Sequence, residues 1–94
     1  MKIFLDDIRN APDNSWVVVR DGHICMNLLS TGIVTEISFD HDLGDDWCNG
    51  YDVLCHIELL VWHGAILKPI IYIHTDNAGA RNKMVLAKKK IEEM

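Results

Sequence analysis

Four short runs rich in aliphatic, β-branched and aromatic residues punctuate the chain: Lys2–Asp6 (KIFLD), Trp16–Arg20 (WVVVR), Val34–Asp40 (VTEISFD) and Pro69–His74 (PIIYIH). Such residues favour strands. Their near-continuous apolar character, in place of strict alternation, points to a parallel sheet covered on both faces. Pro69 opens the last run, where a missing N–H harms the ladder least. Between the runs the apolar period becomes helical. The spacing predicts a helix over Gly22–Thr31, with Asp21 as its N-cap and Gly32 as its stop. A second helix, Tyr51–Leu67, is apolar around most of its circumference, leaving Asp52, His56 and His63 as a thin polar stripe. A third, Ala78–Glu93, aligns Ala80, Met84, Ala87, Ile91 and Met94 on one side, and Lys88, Lys89 and Lys90 near its end complement the helix dipole.

The predicted order is therefore β-β-α-β-α-β-α. The first connection, Asp7–Ser15, shows no helical pattern. Extended, it reaches about 30 Å, enough to return the chain for a parallel pairing, and with Pro12 inside it is long for a hairpin. The crossover is the preferred reading, and a hairpin the alternative. Spatial order 2-1-3-4 follows, an α/β fold with four mostly parallel strands and three helices. Right-handed crossovers put the first two helices on one face of the sheet. The other face is left to the last helix or to a second subunit, so three layers and a homodimer are expected.

In an open α/β sheet, ligands bind beyond the carboxyl ends of the strands, where the winding reverses. Here that point lies between the first and third strands, and it explains the abrupt end of "ISFDHDLGDD". Asp6 and Asp7 arrive from the first strand, Asp40, His41 and Asp42 from the third, and His74 and Thr75 from the fourth. Crowded carboxylates repel unless protons or a cation relieve them. An all-oxygen set suits a hard divalent ion, Mg²⁺ or Mn²⁺ first, with Asp6, Asp7 and Asp40 as its ligands. His41 and His74, with Asp42, are the candidates for moving protons. Arg9 offers a planar fork for phosphate oxygens, or else a partner for Asp6 or Asp7. Asn77 and Gly79 open the last helix, whose free N–H groups suit an anion; Asn77 serves equally as an N-cap. Asp45 and Asp46 read as solvated loop residues. His56 and His63 stand about 10 Å apart along their helix, too far to share one ion.

At 94 residues the chain forms one domain. A net charge of −5 gives no broad basic surface for non-specific DNA binding, so a nucleic-acid substrate would be held locally or through a cation. The opening MKIFLDDIR meets charge too early for a signal peptide, and no apolar run approaches the roughly 20 residues of a membrane span. Cys25, Cys48 and Cys55 form no CxxC pair, which fits a reducing, cytoplasmic setting. Cys25 and Cys55 fall in apolar helical patterns and Cys48 in a polar loop.

Together "FLDDIRNAP" with the later Trp16 and Arg20, "ISFDHDLG", "GYDV" and "IHTDNAGARNKM" resemble the cyclic-phosphate processing receiver-like domains, over nearly the whole chain. That family shows an L-D-D-x-R start, an S-x-D-H-D-L-G centre and an H-S-x-N-x-x-G end, in small bacterial and phage proteins. Asp6, Asp7, Arg9, Asp40, His41, Asp42, His74 and Asn77 fall on motif positions. Thr75 replaces the motif serine and keeps a hydroxyl for substrate; Gly79 follows Asn77 one residue sooner than in the motif. The resemblance implies a receiver-like (flavodoxin-like) fold lacking the first helix and fifth strand of a full receiver. It also implies a role on cyclic phosphate ends in RNA processing or repair. Without a fifth-strand lysine, a phosphorylation switch is disfavoured. The leading expectation is a metal-dependent phosphodiesterase for 2′,3′-cyclic RNA ends or small cyclic nucleotides. The alternatives are a non-catalytic module binding a nucleotide or phosphate ligand, and an interaction protein. An HD-type phosphohydrolase does not fit, because the His41–Asp42 pair ends a strand rather than lying on a helix.

Overall fold

The computed structural model describes residues 1–43 and 48–94, so Asp45 and Asp46 of the acidic stretch lie outside the described residues. The elements are β1 Lys2–Leu5, β2 Trp16–Val19, α1 Gly22–Ser30, β3 Glu36–Phe39, α2 Gly50–Trp62, β4 Ile70–Ile73 and α3 Ala78–Glu92. The strands form one parallel sheet in the order β2-β1-β3-β4. The helix-free link from β1 to β2 is thus a crossover, not a hairpin.

Leu5 stands level with Val19 and Phe39, and Phe39 level with Ile73. The ladder runs one residue past each strand: Asp6 N–H donates to the Val19 carbonyl at 3.1 Å, Asp40 N–H to Leu5 at 2.9 Å and His74 N–H to Phe39 at 2.9 Å. Backbone bonds therefore fix Asp6, Asp40 and His74 side by side. The functional rim is an extension of the sheet.

Side chains alternate between the sheet faces. Ile3, Leu5, Ile37, Phe39 and Ile71 join one core with Cys25 and Leu29 of α1, Val53, Leu54 and Ile57 of α2, and Met84 and Ile91 of α3. Helices α1 and α3 each pack against the sides of α2, in the same layer. The expected three layers are therefore two. The crossover through α2 lays that helix over the sheet, and α3, leaving β4 in the same sense, continues alongside it with Met84 and Ile91 buried.

The opposite face carries no helix among the described residues. Phe4 is nonetheless buried there, because His74 stacks on its ring at 4.3 Å and Trp16 meets it edge-on at 6.2 Å. Tyr72 adds a further edge contact to Trp16, and Lys2 Nζ lies 4.5 Å over the Trp16 ring. Val18, Ile70 and Tyr72 remain exposed on the same face.

Asp21 caps α1 by accepting from His23 and Ile24 N–H, and Gly32 follows that helix at φ +79°. Helix α2 stops at Trp62 rather than Leu67. Gly64 takes φ +70° there, and Ala65 N–H closes back on the Leu60 carbonyl at 2.9 Å, a glycine-terminated helix end. Cys48 is buried rather than loop-exposed, packed so closely on Gly22 that a β-carbon there would lie 2.5 Å from its Sγ. Burial, with Cys48 nearby, pushes the Cys25 thiol up to about 12.

Candidate functional site

Asp6, Asp7 and Asp40 each present a carboxylate oxygen within 4.8 Å of the others. Asp6 is 1% exposed and Asp40 9%. Burial alone would raise the Asp6 carboxyl, but Oδ1 accepts the Arg9 N–H at 2.8 Å and the Ile8 N–H at 2.9 Å, and His74 Nε2 bonds Oδ2 at 3.0 Å. These bonds hold its pKa below the ordinary carboxylate value, so it is ionised at neutral pH. Asp40 accepts the following N–H, that of His41, at 2.8 Å. The loop after β1 is braced from below by Arg20, whose guanidinium donates to the carbonyls of Asp6 and Arg9. An all-oxygen trio of carboxylates, with Asp6 buried, is a donor set that fits Mg²⁺ or Mn²⁺.

The two histidines of the rim have different surroundings. His74 uses both ring nitrogens, Nε2 on Asp6 and Nδ1 on Ser38 Oγ at 2.7 Å. Among the described residues His41 is bonded through its ring only to Asp42, with Nδ1 2.8 Å from Oδ1. Asp42 is otherwise exposed.

Arg9 is engaged within the protein. Its guanidinium pairs with Asp76, donates to the His74 carbonyl at 3.0 Å and lies 3.9 Å from Asp6 Oδ2. Thr75 is buried, and its hydroxyl accepts the Asn77 N–H at 3.2 Å, shaping the turn into α3. Asn77 is the N-cap of α3, accepting the Ala80 N–H at 3.1 Å. Gly79 is exposed, and a β-carbon there would meet only Asn77 Oδ1, at 3.8 Å.

His41, the residue after Asp40, also lines a cavity of about 250 Å³, walled otherwise by Tyr51, Asn77, Gly79, Ala80 and Lys83. Ser38 and Tyr51 fall within the quoted "ISFDHDLG" and "GYDV" stretches, but neither they nor Lys83 stood among the candidate site residues. The serine of the central motif marks the position of Ser38, and the strand register supplies its role, because Ser38 pairs with Tyr72, two residues before His74. Helix α2 reaches the rim because Gly50 N–H donates to the His41 carbonyl at 3.0 Å. A β-carbon on Gly50 would lie 1.9 Å from the Asp40 carbonyl oxygen, so the approach requires glycine. Asn49 and Asp52 complete a capping box at that helix start.

A family model described as "Cyclic-phosphate processing Receiver domain" matches residues 1–90. No curated protein and no solved structure gives a match.

Proposed function

Because the chain belongs to the cyclic-phosphate processing receiver domain family, we propose that it is a metal-dependent phosphoesterase that opens cyclic phosphates, on 2′,3′-cyclic RNA ends or small cyclic nucleotides. The observation that carries this reading is the convergence of the Asp6, Asp7 and Asp40 carboxylates, with His41, the residue after Asp40, lining a cavity. In this reading Asp6, Asp7 and Asp40 hold one Mg²⁺ or Mn²⁺. When bound, the ion offsets their charge and draws electron density from the phosphoryl oxygens. Asp42 fixes His41 through Nδ1, which leaves Nε2 to take a proton from the attacking water. As water oxygen bonds to phosphorus, one ring P–O bond breaks, and the same proton passes to the departing oxygen to give a monoester. Such proton transfer is worth about 10²–10⁴-fold in rate. His74, with both nitrogens engaged, orients Asp6 in this scheme, and Arg9 holds the ends of β1 and β4 together.

The test incubates the protein with cyclic-ended oligonucleotides and 2′,3′-cyclic mononucleotides, with and without Mg²⁺ or Mn²⁺. Monoester product should require the metal and vanish in Asp40→Asn. Saturable binding without product in any condition, the fold verified by circular dichroism, would favour the non-catalytic module instead.

We propose also that the protein is a cytoplasmic homodimer. No helix among the described residues is long and apolar enough to cross a membrane. The bare sheet face joins exposed Val18, Ile70 and Tyr72 to charges of both signs, Lys2 and Glu36. A two-fold interface needs such a self-complementary mixture.

A further inference from the structure

The cavity at the rim contains a cation that the scheme above leaves idle. Lys83 projects from α3 one turn beyond Gly79 and Ala80, and so shares their side of the helix. Among the described residues it has no carboxylate partner; its Nζ rests 4.2 Å over the ring of Tyr51, on the opposite wall. A phosphate oxygen is a stronger partner for an exposed ammonium than an aromatic face is. The arginines near the rim are engaged within the protein: Arg9 with Asp76 and the His74 carbonyl, Arg20 with the carbonyls of Asp6 and Arg9, and Arg81 with the Ile73 carbonyl.

Resting on the phosphoesterase reading, we propose that this cavity is the substrate pocket, with Lys83 as the phosphate's cationic ligand and Tyr51 as the stacking surface for its base. The two roles are linked. The ammonium leaves the Tyr51 ring when phosphate arrives beside His41, and the vacated ring face then accepts a planar base, as aromatic side chains do in single-strand recognition. A volume of about 250 Å³ lies below the range usual for enclosing a drug-sized ligand. It suits the phosphate and sugar, with the base lying across Tyr51 at the mouth. The substrate class is thus a nucleotide or RNA end, not a base-free cyclic phosphate.

Calorimetric titration with adenosine 2′,3′-cyclic phosphate and with glycerol 1,2-cyclic phosphate, in EDTA so that neither is opened during the measurement, tests the assignment. Lys83→Met should weaken both ligands at least roughly tenfold, with Lys83→Arg recovering most of the loss. Tyr51→Leu should weaken the nucleotide at least roughly tenfold more than the glycerol compound, and Tyr51→Phe should behave as wild type. Wild-type protein that binds both ligands while Lys83→Met and Tyr51→Leu match it within about twofold overturns this assignment and leaves the phosphoesterase reading standing. Wild-type protein that neither binds nor opens either compound removes both.

Discussion

His41 and His74 end neighbouring strands, yet their surroundings give them different work. His41 lines the cavity and bonds Asp42 through Nδ1, whereas His74 is clamped between Asp6 and Ser38 and stacked on Phe4. Ser38 therefore stands behind Asp6 through His74, and groups that orient ligating side chains typically matter 10–100-fold for ion affinity. Ser38→Ala should cost about 1–2 kcal/mol of stability by leaving Nδ1 without its partner. It should also weaken Mn²⁺ binding, read by titration, while Ser38→Thr retains both. Unchanged affinity in a destabilised Ser38→Ala would reduce the contact to packing. The carboxylates and both histidines are legible in the sequence because each directly follows an apolar strand. Ser38 is visible there as the serine of the central motif, but its role is not, since that comes from sheet register. Nor is Lys83, which reads as one more solvated lysine until the fold sets it across from Tyr51.

Helix starts and stops were legible where one residue decides them, as at Asp21, Gly32 and Asn77. The end of α2 was not, because apolar residues continue through Ala65, Ile66 and Leu67 and hide Gly64 as a terminator. The start of α2 offers the sharper test. Asn49→Ala removes a cap and should cost about 1 kcal/mol. Gly50→Ala drives a methyl group into the Asp40 carbonyl and should cost about 1–3 kcal/mol or more. Urea unfolding gives both values. Only Gly50→Ala should also impair the metal-dependent reaction, because only it displaces the backbone that carries Asp40. Equal effects on activity would show that α2 does not set the position of the rim.

At the scale of the molecule, the parallel sheet and its strand order were readable from the apolar runs and the length of the first link. The layering was not. Apolar strands announce that both faces need cover, but not who supplies it, and on the bare face the rings of Phe4, Trp16, Tyr72 and His74 partly cover one another. A homodimer through that face should sediment at twice the 10.7 kDa of one chain, and Val18→Asp should return it to the single mass. A single-chain mass at every concentration would remove the dimer and leave the aromatic cluster as sufficient cover.

The earliest strand of the chain lies in the interior of the sheet, between β2 and β3. As synthesis proceeds, β1 can gain β2 soon after it emerges but must wait for residues 36–39 before its other edge closes. The contact of His74 with Asp6 spans 68 positions, among the last to become available to a nascent chain. Such distant pairings slow folding. Competence for chemistry and completion of the fold should then arrive together, so a half-built molecule carries acidic residues but no centre to bring them to bear.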